Sequence, residues 1–167
     1  KINYFKFTVI FSRSANVYGP YQQLYRIIPR TIIYLKKNKI LELHGEGKAK
    51  RSFIHINDVL TAIYKLINFG KIGEVYHISS NNNVINIKNL VKLICKKMNY
   101  DFDSSTLLVS ENFGQDLAYV LNSDKIRSKL HWKEMISLDD GVQETIKWIE
   151  DNWNILSKLP HFYKHTM

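Results

Sequence analysis

The chain has 167 residues, 45% hydrophobic and 23% charged, the balance of a single soluble globular domain large enough to bury a core. One cysteine, Cys95, excludes an internal disulfide and any multi-cysteine metal site, and no apolar run reaches the length of a membrane span. The formal charge is +9, but nineteen of the 24 basic residues are lysines scattered along the chain, so it argues only weakly for nucleic acid. Cys95 lies on a helical apolar face, where a buried inert thiol and a reducing, cytoplasmic setting are expected.

Tyr4–Ser12 is aromatic and β-branched with few charges, the pattern of a buried strand. Arg13–Tyr21 interrupts it with small polar residues and a Gly-Pro turn. A helix is expected from about Ile28, with Pro29 in its first turn, running out at Lys36–Lys39, where the lysines suit a helix C-terminus. Ile28, Ile32 and Leu35 share one face of it. Ile40–Leu43 is a short strand candidate.

His44–Val59 holds the densest chemistry. Gly45 and Gly47 permit positive φ and close backbone approach, and Lys48, Lys50 and Arg51 follow. Arg51–Ile56 alternates as a strand, and Asn57-Asp58 offers a helix N-cap before Val59, Leu60, Ala62 and Ile63. Arg is the side chain suited to forked phosphate contacts, and a cation at a strand start beside a glycine turn suits a phosphate. A charged hairpin leading into a surface helix is the alternative.

That helix is expected to end near Asn68, followed by a strand over Glu74–Ser79 and a turn at Asn81-Asn82-Asn83. Asn86 caps a helix whose apolar positions are Ile87, Leu90, Val91, Ile94 and Met98. Tyr100–Ser105 reads as a polar loop, Leu107–Val109 as a short strand and Glu111–Leu117 as a connection. Ser123-Asp124 opens a small helix over Lys125–Leu130, and Ser137 with Asp140 resembles a capping box for a last helix through Trp153. Residues 154–167 are expected to form a loosely ordered tail. The mixture is α/β.

Much chemistry is missing. The sequence contains no G-x-S-x-G turn, no G-x-x-x-x-G-K-[ST] and no G-x-G-x-x-G. No histidine is paired with an acid at helical i, i+4 spacing, and Asp139-Asp140 is explained by dipole compensation in a first helical turn. His161 and His165 are four apart, but Pro160 and the tail argue against a metal site.

Arg13–Pro20, Ile28-Pro29-Arg30, His44–Val59 and Gly73–Ser79 occur in an order and spacing that resembles the extended short-chain dehydrogenase/reductase family, the NAD-dependent nucleotide-sugar epimerases and dehydratases. Tyr18-Gly19-Pro20-Tyr21, Gly114-Gln115-Asp116 with Tyr119, Ser123–Ile126 and Leu130-x-Trp132 point to its dTDP-glucose 4,6-dehydratase branch. The resemblance covers about residues 4–153. It implies the last part of a Rossmann-type parallel sheet plus the small α/β substrate-binding domain. The family's Gly-rich NAD turn and catalytic Tyr-x-x-x-Lys would lie upstream of Arg13–Pro20, and none of the ten tyrosines here has Lys four residues later. No catalytic residue is therefore expected in this chain, and most of the NAD site would lie in the missing half.

Roles carry over only at matching positions. Asn16 matches a substrate-contacting Asn, with a plain turn residue as the alternative. Ser14 and Val17 fall on the cofactor side, although Val17 replaces an Asn that approaches NAD in bacterial dehydratases. Arg26 and Ile27 open the substrate-contacting stretch through Thr31; a solvated helix-start cation is the alternative for Arg26. Glu42, Leu43 and His44 match the segment that packs on the nucleotide base, where Glu42 and His44 depart from the thymidine pattern. Arg51 matches the phosphate-binding Arg, against a surface ion pair. Asn82 matches a substrate-side Asn, against turn chemistry. Asn112 stands where a diphosphate-binding Arg is expected, in a stretch ending at Gln115. One cation of the grip is thus absent; lower affinity, compensation by Arg26 or a lysine, and a different substrate all remain open.

The expected role is to bind a nucleotide-diphosphate sugar as the substrate domain of an NAD-dependent 4,6-dehydratase, homodimeric at full length, with neither nucleic acid nor membrane as partner. A UDP-sugar 4-epimerase or decarboxylase of the same family is the nearest alternative. From other classes, a non-catalytic sugar-nucleotide-binding domain or a basic nucleic-acid-binding module remains.

Overall fold

The computed structural model describes residues 8–81, 84–110 and 116–162. Its first strand, β1 (Phe11–Ser14), lies parallel to β5 (Val75–Ile78), with Phe11 opposite Val75. After a single residue, Ala15, the chain enters β2 (Asn16–Tyr18), which leaves β5 and pairs in parallel with β4 (Lys50–His55). β4 also pairs antiparallel with β6 (Val84–Asn86) and parallel with the two-residue β8 (Ala118–Tyr119). A separate parallel pair joins β3 (Leu41–His44) to β7 (Thr106–Val109). The helices are α1 (Ile27–Lys36), α2 (Ile56–Phe69), α3 (Ile87–Met98), α4 (Phe102–Ser105), α5 (Asp124–Leu130), α6 (Leu138–Asp151) and α7 (Trp153–Leu156). The mixed α/β class with parallel strands is as the sequence predicts.

β4 separates two cores. Successive strand side chains point to opposite faces, so Phe53 joins one core and Ile54 the other, both buried. The first core packs α1, α3 and α6 through Ile28, Ile32, Leu90, Ile94, Val142 and Ile146. The second packs α2 and α5 on β5 through Val59, Ala62, Leu66, Ile78, Ile126 and Trp132. Cys95 is 1% exposed in the first core, and burial pushes its thiol pKa up, as an inert core thiol requires.

Several local expectations hold for local reasons. The Asn86 side chain accepts from the Asn89 N–H at 2.7 Å, and Ser137 Oγ accepts from the Asp140 N–H at 3.1 Å. Others are corrected. The helix after β4 begins at Ile56 and is capped by His55, whose Nδ1 accepts from the Asn57 N–H at 3.4 Å. The Asn57-Asp58 cap does not form, because the Asp58 carboxylate accepts instead from the backbone N–H groups of Met135 and Ile136. Residues 102–105 form α4 rather than loop, since Asp101 accepts from the Ser104 N–H at 2.8 Å. The strand expected over 4–12 is described only over 11–14, and its first three residues are exposed. Among the described residues β1 has a single neighbour, β5.

Candidate functional site

A cleft of about 910 Å³ opens beside β2 and the start of α1. Ser14 closes β1 at its rim; Asn16 and Val17 enter it from β2, and Arg26 and Ile27 from the start of α1. Arg51 enters from β4, next to its register partner Tyr119 on β8. Residues 14–17, the start of α1 and the more distant Arg51 thus bring six of the expected site residues together. Positive φ at Gly19 turns the chain between them, and a Cβ there would collide with Ile56 and His55.

The side chains are held in distinct ways. Asn16 is a strand residue rather than a turn residue, and its Nδ2 donates to the Ser52 carbonyl at 3.1 Å. Arg51 donates from Nη1 to the Lys50 carbonyl at 2.8 Å and pairs with no carboxylate among the described residues. The surface ion pair is therefore not what its described neighbours build. Arg26 is exposed at the N-cap of α1, its guanidinium 5.3 Å from the Tyr25 ring centroid, likewise without a described carboxylate partner. Two cations in one open cleft with no described counter-ion favour an anionic ligand.

The glycine turn belongs elsewhere. Gly45, Glu46 and Gly47 all have positive φ, in a short 3₁₀ turn outside the cleft lining. A Cβ on Gly47 would stand 2.9 Å from the Lys88 nitrogen, so the close approach is to the first turn of α3. Lys48 is paired with Glu46 at 2.6 Å. Leu43 is 3% exposed in the core, while Glu42 and His44 lie 3.8 Å apart on the exposed face of β3, away from the cleft lining. Asn82, Asn112 and Gln115 lie outside the described residues.

Gln22 was not legible as a site residue. It lines the cleft and donates from Nε2 to the Val17 carbonyl at 2.6 Å, which leaves its buried Oε1 without a described partner. No sequence period marks it, because its place follows from the turn at Gly19-Pro20.

Beneath the cleft the titratable groups are locked rather than poised. Tyr18 is 1% exposed; burial above all, with Asp58, Glu144 and Asp140 adding to it, pushes its hydroxyl pKa far up. The phenol stays protonated and donates to the Ser137 carbonyl at 3.3 Å. His55 is fully buried, and burial lowers its pKa against the opposing pull of Glu144 and Asp58. Tyr18 lines the cleft from below, with the buried His55 ring packed edge-on against it at 5.3 Å between centroids.

A profile of the NAD dependent epimerase/dehydratase family matches residues 3–79. The mouse dTDP-D-glucose 4,6-dehydratase is 34% identical over 155 residues, covering 90% of this chain and 43% of that protein. An Arabidopsis thaliana trifunctional UDP-glucose 4,6-dehydratase/UDP-4-keto-6-deoxy-D-glucose 3,5-epimerase/UDP-4-keto-L-rhamnose-reductase is 32% identical, covering 92% of this chain and 23% of that one. DesIV, a dTDP-glucose 4,6-dehydratase from Streptomyces venezuelae solved with NAD and TYD bound, superposes with a TM-score of 0.86 at 29% identity. That superposition covers 92% of this chain and 47% of DesIV. The chain thus spans less than half the length of these relatives.

Proposed function

The chain belongs to the NAD dependent epimerase/dehydratase family, and from that premise we propose that it grips a nucleotide-diphosphate sugar as the substrate-side part of a 4,6-dehydratase. The observation that carries this is the cleft that gathers Asn16, Arg26 and Arg51, with both guanidinium groups free of described carboxylates. Arg51 donates to the diphosphate oxygens, and the Asn16 amide contacts the sugar or a phosphate oxygen. Arg26 supplies the second cation that Asn112 lacks, since it already shares the cleft. The binding energy of this grip positions the hexose for chemistry carried by residues outside the chain.

NAD, when bound, supplies a hydride acceptor and donor for the hexose. The residues present fit one edge of it: Ser14 offers a hydroxyl and Val17 an apolar contact at the cleft rim, and no G-x-G-x-x-G turn occurs in the sequence. Relatives named for dTDP-glucose and for UDP-glucose match at similar identity, so both nucleotides are candidates for the base.

Calorimetric titration with dTDP-glucose, UDP-glucose and the corresponding nucleoside monophosphates tests the proposal. Micromolar binding of one diphosphate sugar, lost with the monophosphate, is the expected result. No binding of either sugar nucleotide at millimolar concentration, or strong salt-dependent binding of an oligonucleotide instead, would overturn it.

A further inference from the structure

We propose that Arg127 and Glu134 are positioning residues of the cleft, fixing the segment 79–81 and, through Ser52, the Asn16 amide; this rests on the cleft being the nucleotide-sugar site.

Arg127 lies in α5 and Glu134 in the segment between α5 and α6, with Nη2 and Oε2 2.5 Å apart. Both side chains are largely buried, 19% and 12% exposed. Both members of the pair have further partners. Arg127 Nη2 donates to the Ser79 carbonyl at 2.9 Å, and Nε donates to Ser123 Oγ at 3.0 Å. Ser123 Oγ in turn donates to the Ser79 carbonyl at 2.9 Å. Glu134 Oε1 accepts from Ser80 Oγ at 2.9 Å and from the Asn81 N–H at 3.0 Å. Burial would raise the Glu134 pKa, but these hydrogen bonds and Arg127 together hold it below the usual carboxylate value.

The restraint reaches the cleft in two links. Ser79 Oγ and Ser52 Oγ are 2.9 Å apart, and Ser52 Oγ also donates to the Ser80 carbonyl at 3.2 Å. The Ser52 carbonyl accepts from Asn16 Nδ2 at 3.1 Å. Ser52, Ser79 and Ser80 are all at most 2% exposed, so water does not compete for these contacts. The strap that carries Glu134 is itself pinned. The Arg127 guanidinium lies 5.0 Å from the Trp132 ring centroid, and Asp58 holds the Met135 and Ile136 N–H groups. A largely buried ion pair costs desolvation and is weak evidence of stability. Here both charges also hydrogen-bond a three-residue segment without regular structure, Arg127 directly and through Ser123 and Glu134 directly, and that fixes geometry.

Nitrogen-15 NMR and UDP-glucose and dTDP-glucose titration of the chain and its Glu134→Gln variant test this. The expected result is a shifted Asn16 side-chain amide resonance, about tenfold faster amide exchange at Asn81 and a several-fold loss of sugar-nucleotide affinity, all far below the melting temperature. Asp139→Asn, which breaks the exposed Lys97 pair, should leave all three signals unchanged. If Glu134→Gln does not fold, Arg127→Lys, which keeps the charge and loses the fork, should move the same signals in the same direction by less. An unmoved Asn16 resonance and unaltered Asn81 exchange would overturn the proposal, even if the melting temperature falls. Absence of sugar-nucleotide binding by the wild type would sink the proposed function, while the two NMR signals still judge the positioning role.

Discussion

Arg51 lines the cleft while Ser52, its neighbour, is fully buried against Ser79, a split that the two-residue period of β4 enforces. A charge-assisted hydrogen bond to phosphate contributes about 1.5–3 kcal/mol, so Arg51→Gln should weaken sugar-nucleotide binding about tenfold to a hundredfold in the same titration. An unchanged affinity would remove Arg51 from the grip. His55 makes a prediction of the opposite kind, about stability. Burial lowers its folded pKa below the unfolded value of about 6.5, so as pH falls the unfolded chain takes up the proton first. The stability contribution is whole above that value and is lost as pH drops toward the folded pKa, at up to about 1.4 kcal/mol per pH unit. Thermal melts from pH 7.5 to 5.5 should show this slope, and His55→Gln should be less stable overall but flatter. His161 shifts in the same direction and is present in both proteins, so the difference in slope isolates His55.

The start of α2 shows how one element is fixed by another far away in sequence. Asp58, 2% exposed, stands in the first turn of α2, where a negative charge meets the favourable end of the helix dipole. Its two oxygens accept the N–H groups of Met135 and Ile136 at 2.9 and 3.1 Å, and its carbonyl accepts from Trp132 Nε1 at 3.2 Å. Asp58→Ala leaves two partly buried N–H groups unpaired and should cost about 2–5 kcal/mol in urea denaturation. A loss under 1 kcal/mol would mean that the strap finds other partners. The glycine turn ahead of β4 is a second such case. Its sequence suits a ligand, but its backbone is pressed against Lys88 of α3, so the constraint on Gly47 is one of packing.

Across the whole molecule, α2 carries two apolar faces. Val59, Ala62 and Leu66 are buried in the second core, whereas Leu60, Ile63, Tyr64 and Ile67 form an exposed stripe at i, i+3, i+4, i+7 spacing. β1 has one described neighbour, and the matches cover 43% of the mouse relative and 47% of DesIV. A contiguous apolar surface of this kind limits solubility. Ile63→Lys with Ile67→Lys should raise the concentration at which the isolated chain precipitates, leaving its urea midpoint close to the parent's and its unfolding free energy within about 0.5 kcal/mol. A lower midpoint would show that the stripe is packed in solution.

The sequence by itself determined the elements whose causes are local, and the family. Asn86 and Ser137 specify their helices through hydrogen bonds that span three residues, and Leu90, Val91 and Ile94 mark the buried face of α3 by spacing alone. The ordered turns and strand–helix units likewise identify the epimerase/dehydratase family without coordinates. Only the tertiary structure decided which candidates meet. It places Asn16, Arg26 and Arg51 in one cleft, leaves Glu42 and His44 on the face of β3, and gives Asp58 to the strap rather than to a cap. The reason is range. Asn16 meets Ser52 across 36 residues and Asp58 meets Met135 across 77. Contacts over such separations follow from how two cores close on β4, and no period in the chain encodes them.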